Sequence, residues 1–285
     1  MDRVFRLTIS CPDQIGIVAK VASFIAELGG SIVEANHHTE VAESWFFMRH
    51  EILASSLGND LEAFKAKFLP IAKQFNMKWQ VSDSATPKRI ALFASKESHC
   101  LVDLLYRWKE QDLPGEVVCV VANHDDLRSM VEWYQVPFYH VPVVADNKAE
   151  AFAETEEIMR KQKVDVIALA RYMQILPPNM CEIYTGRVIN IHHSFLPSFV
   201  GAKPYHQAFK RGVKLIGATC HYVTEELDAG PIIEQEVVRV SHANHVDDLK
   251  RLGRDAEKIA LARGLRNHLE DRVLIYGNKT IVFNL

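Results

Sequence analysis

The stretch Val188-Ile189-Asn190-Ile191-His192-His193-Ser194-Phe195-Leu196-Pro197-Ser198 decides how the larger part of this chain reads. It is a short apolar run closed by a proline-marked segment, the pattern of a buried strand that stops at an open sheet edge. Side chains alternate along a strand, so Asn190 and His192 share one face and His193 points away from them. One face therefore carries an amide donor and a proton carrier. Taken alone, an Asn-x-His pair reads as a satisfied polar pair in a core, so a functional meaning depends on what other segments bring to it.

Upstream lie four more apolar runs, Ile90 to Ala94, Val117 to Ala122, Phe138 to Val141 and Val166 to Ala170, separated by helical periodicity near Cys100 to Glu110, Asp126 to Tyr134 and Ala149 to Lys161. Continuous rather than alternating apolar strands predict a sheet covered on both faces. The expectation for residues 89–285 is thus a doubly wound, mostly parallel α/β sheet of Rossmann-like type. Ligands of such sheets sit beyond the carboxyl ends of the strands, where the polar residues of this region fall. The fourth strand runs into Met173-Gln174-Ile175-Leu176, suited to wall a flat ligand and equally to fill ordinary core. Leu215 to Val223 predicts a sixth strand with Thr219 and His221 on one face. The loop after it, Thr224-Glu225-Glu226-Leu227-Asp228-Ala229-Gly230-Pro231, concentrates carboxylates. Val246 to Glu270 reads as a long charged helix and Arg272 to Phe283 as a closing hairpin over Gly277-Asn278, with structure or subunit contact as the expected role.

Residues 1–82 follow a different order. Phe5 to Ser10 alternates like a strand, Gly16 to Leu28 has helical spacing, Ser31 to His38 and Ser44 to Leu53 read as strands, Leu61 to Phe75 as a helix, and Lys78 to Val81 as a last strand. That β-α-β-β-α-β order is ferredoxin-like, and the polar, proline-containing stretch 83–88 predicts a linker. With Cys11-Pro12-Asp13-Gln14-Ile15-Gly16 between its first strand and helix, the segment resembles an ACT domain. The resemblance implies that Asp13, Gln14, Ile15 and Gly16 face a second subunit and that Asn36 helps hold a small amino-acid effector. A sheet serving dimerisation alone fits the same fold. His37 and His38, adjacent on a strand, face opposite sides and form no simple chelate.

Composition narrows the function classes. The chain has 285 residues, 48% of them hydrophobic and 24% charged, which is the make-up of a globular protein with a real core and, at this length, of two domains. A net charge of -3 gives no reason to expect nucleic-acid or membrane partners. No run approaches the ~20 apolar residues that span a bilayer, and the start lacks a signal-peptide pattern, so the expected location is cytoplasmic. The scattered Cys11, Cys100, Cys119, Cys181 and Cys220 show no C-x-x-C spacing, as expected of reduced thiols rather than a disulfide framework or a metal knuckle.

Taken in order, Asn190-Ile191-His192, His221 and Leu227-Asp228-Ala229-Gly230-Pro231 are similar to the N-x-H, H and D-A-G-P signature of the folate-dependent formyltransferase fold, over about Arg89 to Val240. The resemblance implies that Asn190, His192 and Asp228 surround the formyl group of 10-formyltetrahydrofolate. The pterin would lie between Met173, Gln174, Ile175 and Leu176 on one side and Thr224, Glu225 and Leu227 on the other, with no tightly bound cofactor and no metal. Chemistry agrees with those residue types: the formamide oxygen must be polarised, a nucleophile activated and the leaving nitrogen protonated. Asn190 can donate to an oxyanion, His192 can move a proton or hold the oxyanion, Asp228 can orient a water or tune His192, and His221 reads as a support for Asp228 or the imidazole.

The acceptor of the formyl group remains open on those residues alone. A phosphate cradle offers backbone N–H groups at close approach, usually through glycines, whereas Ala94-Ser95-Lys96-Glu97-Ser98-His99-Cys100-Leu101 has none and brings Glu97. Formyl-transfer residues without a cradle, behind an ACT-like segment, resemble the formyltetrahydrofolate deformylase family over nearly the whole chain. That implies hydrolysis to formate and tetrahydrofolate, formate supply to purine synthesis and one-carbon balance, and a homo-oligomer, dimer or tetramer. Three alternatives stand beside it: a transferase to an amine such as glycinamide ribonucleotide, a metal hydrolase using His192, His193, His206 and His221, and a non-catalytic ACT-paired regulator.

Overall fold

The computed structural model describes residues 2–197 and 204–283, so Ser198 of the stretch quoted above lies outside the described residues. The chain divides into two compact units. One runs through Pro87 and takes in Glu270–Tyr276 and the chain from Ile281; the other comprises Lys88–Leu269 and Gly277–Thr280. No helix among the described residues is long and apolar enough to cross a membrane.

In the first unit β1 (Val4–Pro12), α1 (Ile17–Glu27), β2 (Ile32–Glu40), β3 (Trp45–Leu53), α2 (Leu61–Gln74) and β4 (Lys78–Asp83) follow the predicted order. The sheet runs β2-β3-β1-β4 with antiparallel pairs. Alternation along β1 sends Phe5, Leu7, Ile9 and Cys11 to the face on which Phe24, Phe64 and Phe68 of the helices pack. His50, in register with Leu7, is buried among them.

The other face carries Phe47, Arg49 and Glu51, and the end of the chain covers it. Leu274 and Phe283 cluster with Phe47, and Trp45 stacks on Tyr276 with ring centroids 5.4 Å apart. The fully buried Arg49 pairs with Glu34 at 3.1 Å and Glu51 at 2.5 Å and donates to the Glu270 carbonyl at 2.8 Å. Arg272 also pairs with Glu34, at 2.8 Å. Burial pushes the Glu34 carboxyl up, yet its bond from Arg272 and the charge of Arg49 outweigh that and hold it at about 2. Periodicity assigns the whole tail to the second domain; the structure instead uses Glu270–Tyr276 and the chain from Ile281 to complete the first. The reason is that helices cover one face of a sheet, and the apolar and charged groups on the other need their own layer.

The second unit is built from β5 (Arg89–Ala94), α3 (His99–Lys109), β6 (Glu116–Ala122), α4 (Arg128–Trp133), β7 (Phe138–His140), α5 (Lys148–Lys161), β8 (Val166–Leu169), α6 (Pro178–Ile183), β9 (Val188–His192), α7 (Pro204–Arg211), β10 (Leu215–Tyr222), β11 (Ile232–Arg239) and α8 (Val246–Leu269). The hairpin strands β12 (Val273–Tyr276) and β13 (Lys279–Val282) end the chain. The large sheet runs β11-β10-β9-β8-β5-β6-β7, parallel from β7 to β9 and antiparallel at β10 and β11. Burial of Ile90 through Ala94 explains why β5 reads as a continuous apolar run. The edge strand β11 is absent from the sequence reading, because its half-exposed Ile-Ile-Glu-Gln-Glu-Val pattern lacks that signal. From β5 the chain builds outward through β6 and β7, then returns to β8 on the other flank, so the topological switch falls between β5 and β8.

Candidate active site

The reversal of β10 against β9 assembles the polar centre. Its register sets Thr219 opposite His192 and His221 opposite Asn190. Asn190 Nδ2 lies 3.1 Å from His221 Nε2, and His221 Nδ1 lies 2.8 Å from the Tyr222 carbonyl. A carbonyl only accepts, so the neutral ring carries its proton on Nδ1, and Nε2 accepts from the Asn190 amide. His221 thus supports Asn190 directly. The expectation that it braces Asp228 is met only at 3.6 Å, beyond ordinary hydrogen-bond length.

Asp228 reaches the same centre from the loop after β10. Its Oδ2 lies 3.2 Å from His192 Nδ1, while His192 Nε2 is buried without a hydrogen-bond partner. The hydrogen bond from His192, with the nearby His221 ring a secondary influence, holds the Asp228 carboxyl well below the usual carboxylate range. Asp228 sits at φ 56°, in the left-handed region that non-glycine residues seldom use. The loop reaches that conformation by doubling back: the Tyr222 N–H donates to the Pro231 carbonyl at 2.9 Å, and a Cβ on Gly230 would overlap the Tyr222 carbonyl. Only glycine allows that approach.

A cleft of about 490 Å³ gathers these four polar side chains between residues 173–176 and residues 224–228. Met173, Ile175 and Leu227 are 58%, 56% and 64% exposed, apolar lips without a core to enter, whereas Leu176 is buried beneath them. Exposed apolar surface around convergent polar groups is the mark of a ligand wall. The alternative reading of this loop as ordinary core therefore applies to Leu176 alone.

Several contributors escaped the sequence reading. Ser95, at the end of β5, donates to Asn123 Oδ1 at 2.6 Å and accepts from the Met173 N–H at 2.9 Å, which pins the apolar loop. Arg171, at φ 63°, lines the cleft and pairs with Glu257 at 3.4 Å. Glu257 lies on α8, expected to carry no chemistry, yet it is 1% exposed and also meets His99 at 2.7 Å and Tyr205 at 2.8 Å. Burial raises its pKa, but the His99 bond and the Arg171 charge outweigh burial and leave it below its ordinary value. A charged residue inside an amphipathic helix gives no sign of inward burial in a sequence; a polar Ser at the end of an apolar strand does. His193 also departs from expectation. The strand ends at His192, alternation stops applying, and both rings line the cleft with centroids 5.3 Å apart. Burial, then the Arg171 charge, pushes His193 down to about 4.

The residues expected to hold an effector are not gathered within one chain. Asp13 to Gly16 follow β1, with Gly16 at the start of α1 and Ile15 fully exposed. Asn36 pairs with Arg49, whereas Pro12 pairs with Trp45 at the far end of β3, and the Asn36 amide bonds to Glu34 at 2.7 Å. Among the described residues, His99, Cys100 and Glu257 have ligand atoms within 4.8 Å of one another; His192, His193, His206 and His221 do not form such a group.

With this geometry in hand, similarity to known proteins is informative. Residues 88–265 match the formyl transferase family. The chain is 46% identical over 280 residues to the formyltetrahydrofolate deformylase of Bacillus subtilis (strain 168), covering 98% of this chain and 93% of that protein. A crystal structure of a formyltetrahydrofolate deformylase from Pseudomonas syringae pv. tomato superimposes with a TM-score of 0.98 at 61% identity, covering 100% of this chain and 95% of that one. A glycinamide ribonucleotide transformylase 1 from Symbiobacterium toebii matches more narrowly, with a TM-score of 0.65 at 28% identity over 70% of this chain and 95% of its own. The narrower match leaves part of this chain uncovered, while the deformylases align along nearly all of it. This chain belongs to the formyltetrahydrofolate deformylase family.

Proposed function

We propose that the cleft hydrolyses 10-formyltetrahydrofolate to formate and tetrahydrofolate. The observation that carries the reading is the meeting, in one apolar-lipped cleft, of the Asn190 amide and a His192 whose Nδ1 is engaged by Asp228 while Nε2 has no partner. With its proton held on Nδ1 by Asp228, His192 keeps a lone pair on Nε2. That nitrogen takes a proton from a water whose oxygen bonds to the formyl carbon. The carbonyl electron pair moves onto oxygen, where an Asn190 N–H stabilises it. On collapse the C=O re-forms, the bond from carbon to N10 breaks, and the imidazolium proton passes to N10. The formic acid released ionises to formate. Asp228 stays anionic throughout, steadying the imidazolium.

Water rather than an amine is the acceptor in this reading. Support comes from the loop after β5, where the Ser95 hydroxyl is already bonded to Asn123 and the Met173 N–H, and Glu97 lies 3.3 Å from Arg254. Such a loop spends its Ser95 hydroxyl on its neighbours and presents a carboxylate where a phosphate would need donors. The test is a product assay with 10-formyltetrahydrofolate, with and without glycinamide ribonucleotide. Formate release independent of the amine is expected; formylation of the amine without formate release would overturn the reading.

For the first unit the proposal is that the Asp13–Gly16 loop and Asn36 serve a small amino-acid effector between subunits of a homo-oligomer, in a cytoplasmic enzyme. It is supported by the exposed Ile15 and the separation of loop and Asn36 within one chain. Calorimetry with small amino acids, with Asn36→Ala as control, tests it; absence of heat for all of them would leave dimerisation as the role.

A further inference from the structure

Arg171 and His193 line the cleft and also a second cavity, of about 210 Å³, that adjoins it. Its walls come from α7 and α8 and from the residues that lead into α3. Glu257 forms a buried anchor there, taking bonds from His99 and Tyr205. The other wall carboxylate, Glu97, is met by Arg254 at 3.3 Å. Three cationic side chains, Arg171, Lys250 and Arg254, stand against these two carboxylates, with three histidines between them. Lys250 also reaches Asp247 at 2.9 Å, on the outer side where Asp247 is 92% exposed. Two buried nitrogens in the wall lack a hydrogen-bond partner, Arg171 Nε and His99 Nδ1. Arg171 Nε is a buried donor left unsatisfied, whereas His99, which donates to Glu257 from Nε2, keeps a lone pair on Nδ1; in a wall where three cations face two carboxylates, the arginine donor suits a small anion able to accept hydrogen bonds.

We infer that this cavity binds the carboxylate product, formate, and is the route by which it leaves. The inference rests on the hydrolytic reading given above. Cleavage leaves formate beside His192 while the folate product still fills the apolar-lipped cleft. A site reached past Arg171 and His193 lets the anion depart first, with tetrahydrofolate following. The volume suits a small carboxylate, and an Arg side chain shared by both cavities gives the anion a continuous cationic partner as it moves.

The order of release is readable. If formate leaves first, tetrahydrofolate inhibits competitively against 10-formyltetrahydrofolate and formate inhibits non-competitively. Lys250→Glu with Arg254→Glu, at half-exposed α8 positions outside the folate cleft, should weaken inhibition by formate about fivefold or more while KM for the folate is unchanged. Lys250→Gln with Arg254→Gln should weaken it less, and matching thermal melts check that each variant folds. Binding of 13C-labelled sodium formate to resting enzyme, followed by NMR line width, reads the site without turnover and should weaken in parallel. Formate competing directly with the folate, or equal formate affinity in all three proteins, would overturn the inference. Inorganic phosphate binding at lower concentration than formate would overturn it as well. Absence of formate release from 10-formyltetrahydrofolate would instead sink the underlying hydrolytic reading, so the two failures are distinguishable.

Discussion

The Nδ1 atom of His192, at the end of β9, lies 3.2 Å from Oδ2 of Asp228, a residue held at φ 56° in the loop after β10. That contact selects the imidazole tautomer, because an ionised carboxylate accepts but cannot donate.

Replacing Asp228 with Asn removes both the charge and the tautomer selection while preserving shape. Turnover should fall by ~100-fold or more, as expected for a positioned acid–base group. Circular dichroism should be unchanged. Retention of most activity in steady-state assays would remove Asp228 from the mechanism.

Asn190 and His221 form a second unit. Asn190→Ala deletes the proposed oxyanion donor and should lower kcat by roughly 100-fold or more. His221→Ala leaves the amide in place but unheld, so a smaller loss, about tenfold, is expected because the donor is misaligned rather than missing. A double variant no worse than Asn190→Ala would show that His221 acts through Asn190; additive losses would assign it a separate role.

Gly230 admits the Tyr222 carbonyl where a Cβ would stand. Gly230→Ala should cost ~2–3 kcal/mol as the loop is forced off the strand. Activity should fall further than stability alone explains, since Asp228 moves with the loop. Denaturant midpoints and kcat measured on one preparation separate the two effects.

Acid sensitivity should come from buried histidines. Burial pushes His50 and His193 down to about 4 from an ordinary 6.5, with the nearby His37 adding to the shift at His50 and Arg171 to that at His193. Between those values the unfolded chain binds more protons than the folded one. Stability is therefore present above about pH 6.5 and is lost as pH falls towards about 4, by on the order of 3 kcal/mol per group. His50→Leu, on the face it shares with Phe46, Met48 and Ile52, should flatten the dependence of the denaturation midpoint on pH between 7 and 5. An unchanged slope would show that His50 is not a source. Asp228 behaves oppositely: its depressed pKa keeps it charged until well below the ordinary carboxylate range, so activity loss on mild acidification should not originate there.

Local chemistry was legible wherever one period governed it. Continuous apolar runs foretold β5, β6, β8 and β9, and strand alternation placed Asn190 and His192 on a common face. Legibility ended where alternation or amphipathicity ended. His193 follows the last residue of β9, β11 is a half-polar edge strand, and Glu257 is a buried charge inside a charged helix. None of these leaves a periodic trace.

By itself the sequence determined which groups this chain has for formyl chemistry and which strand face two of them occupy, because backbone geometry sets side-chain direction within a strand. Only the tertiary structure decided their partners. The antiparallel return of β10 put His221 against Asn190, and the doubled-back loop at Gly230 carried Asp228 to His192. Burial brought Glu257 to Arg171, and the end of the chain covered the open face of the first sheet. Those pairings join residues far apart along the chain, and they are fixed by packing and charge neutralisation, which no local pattern encodes.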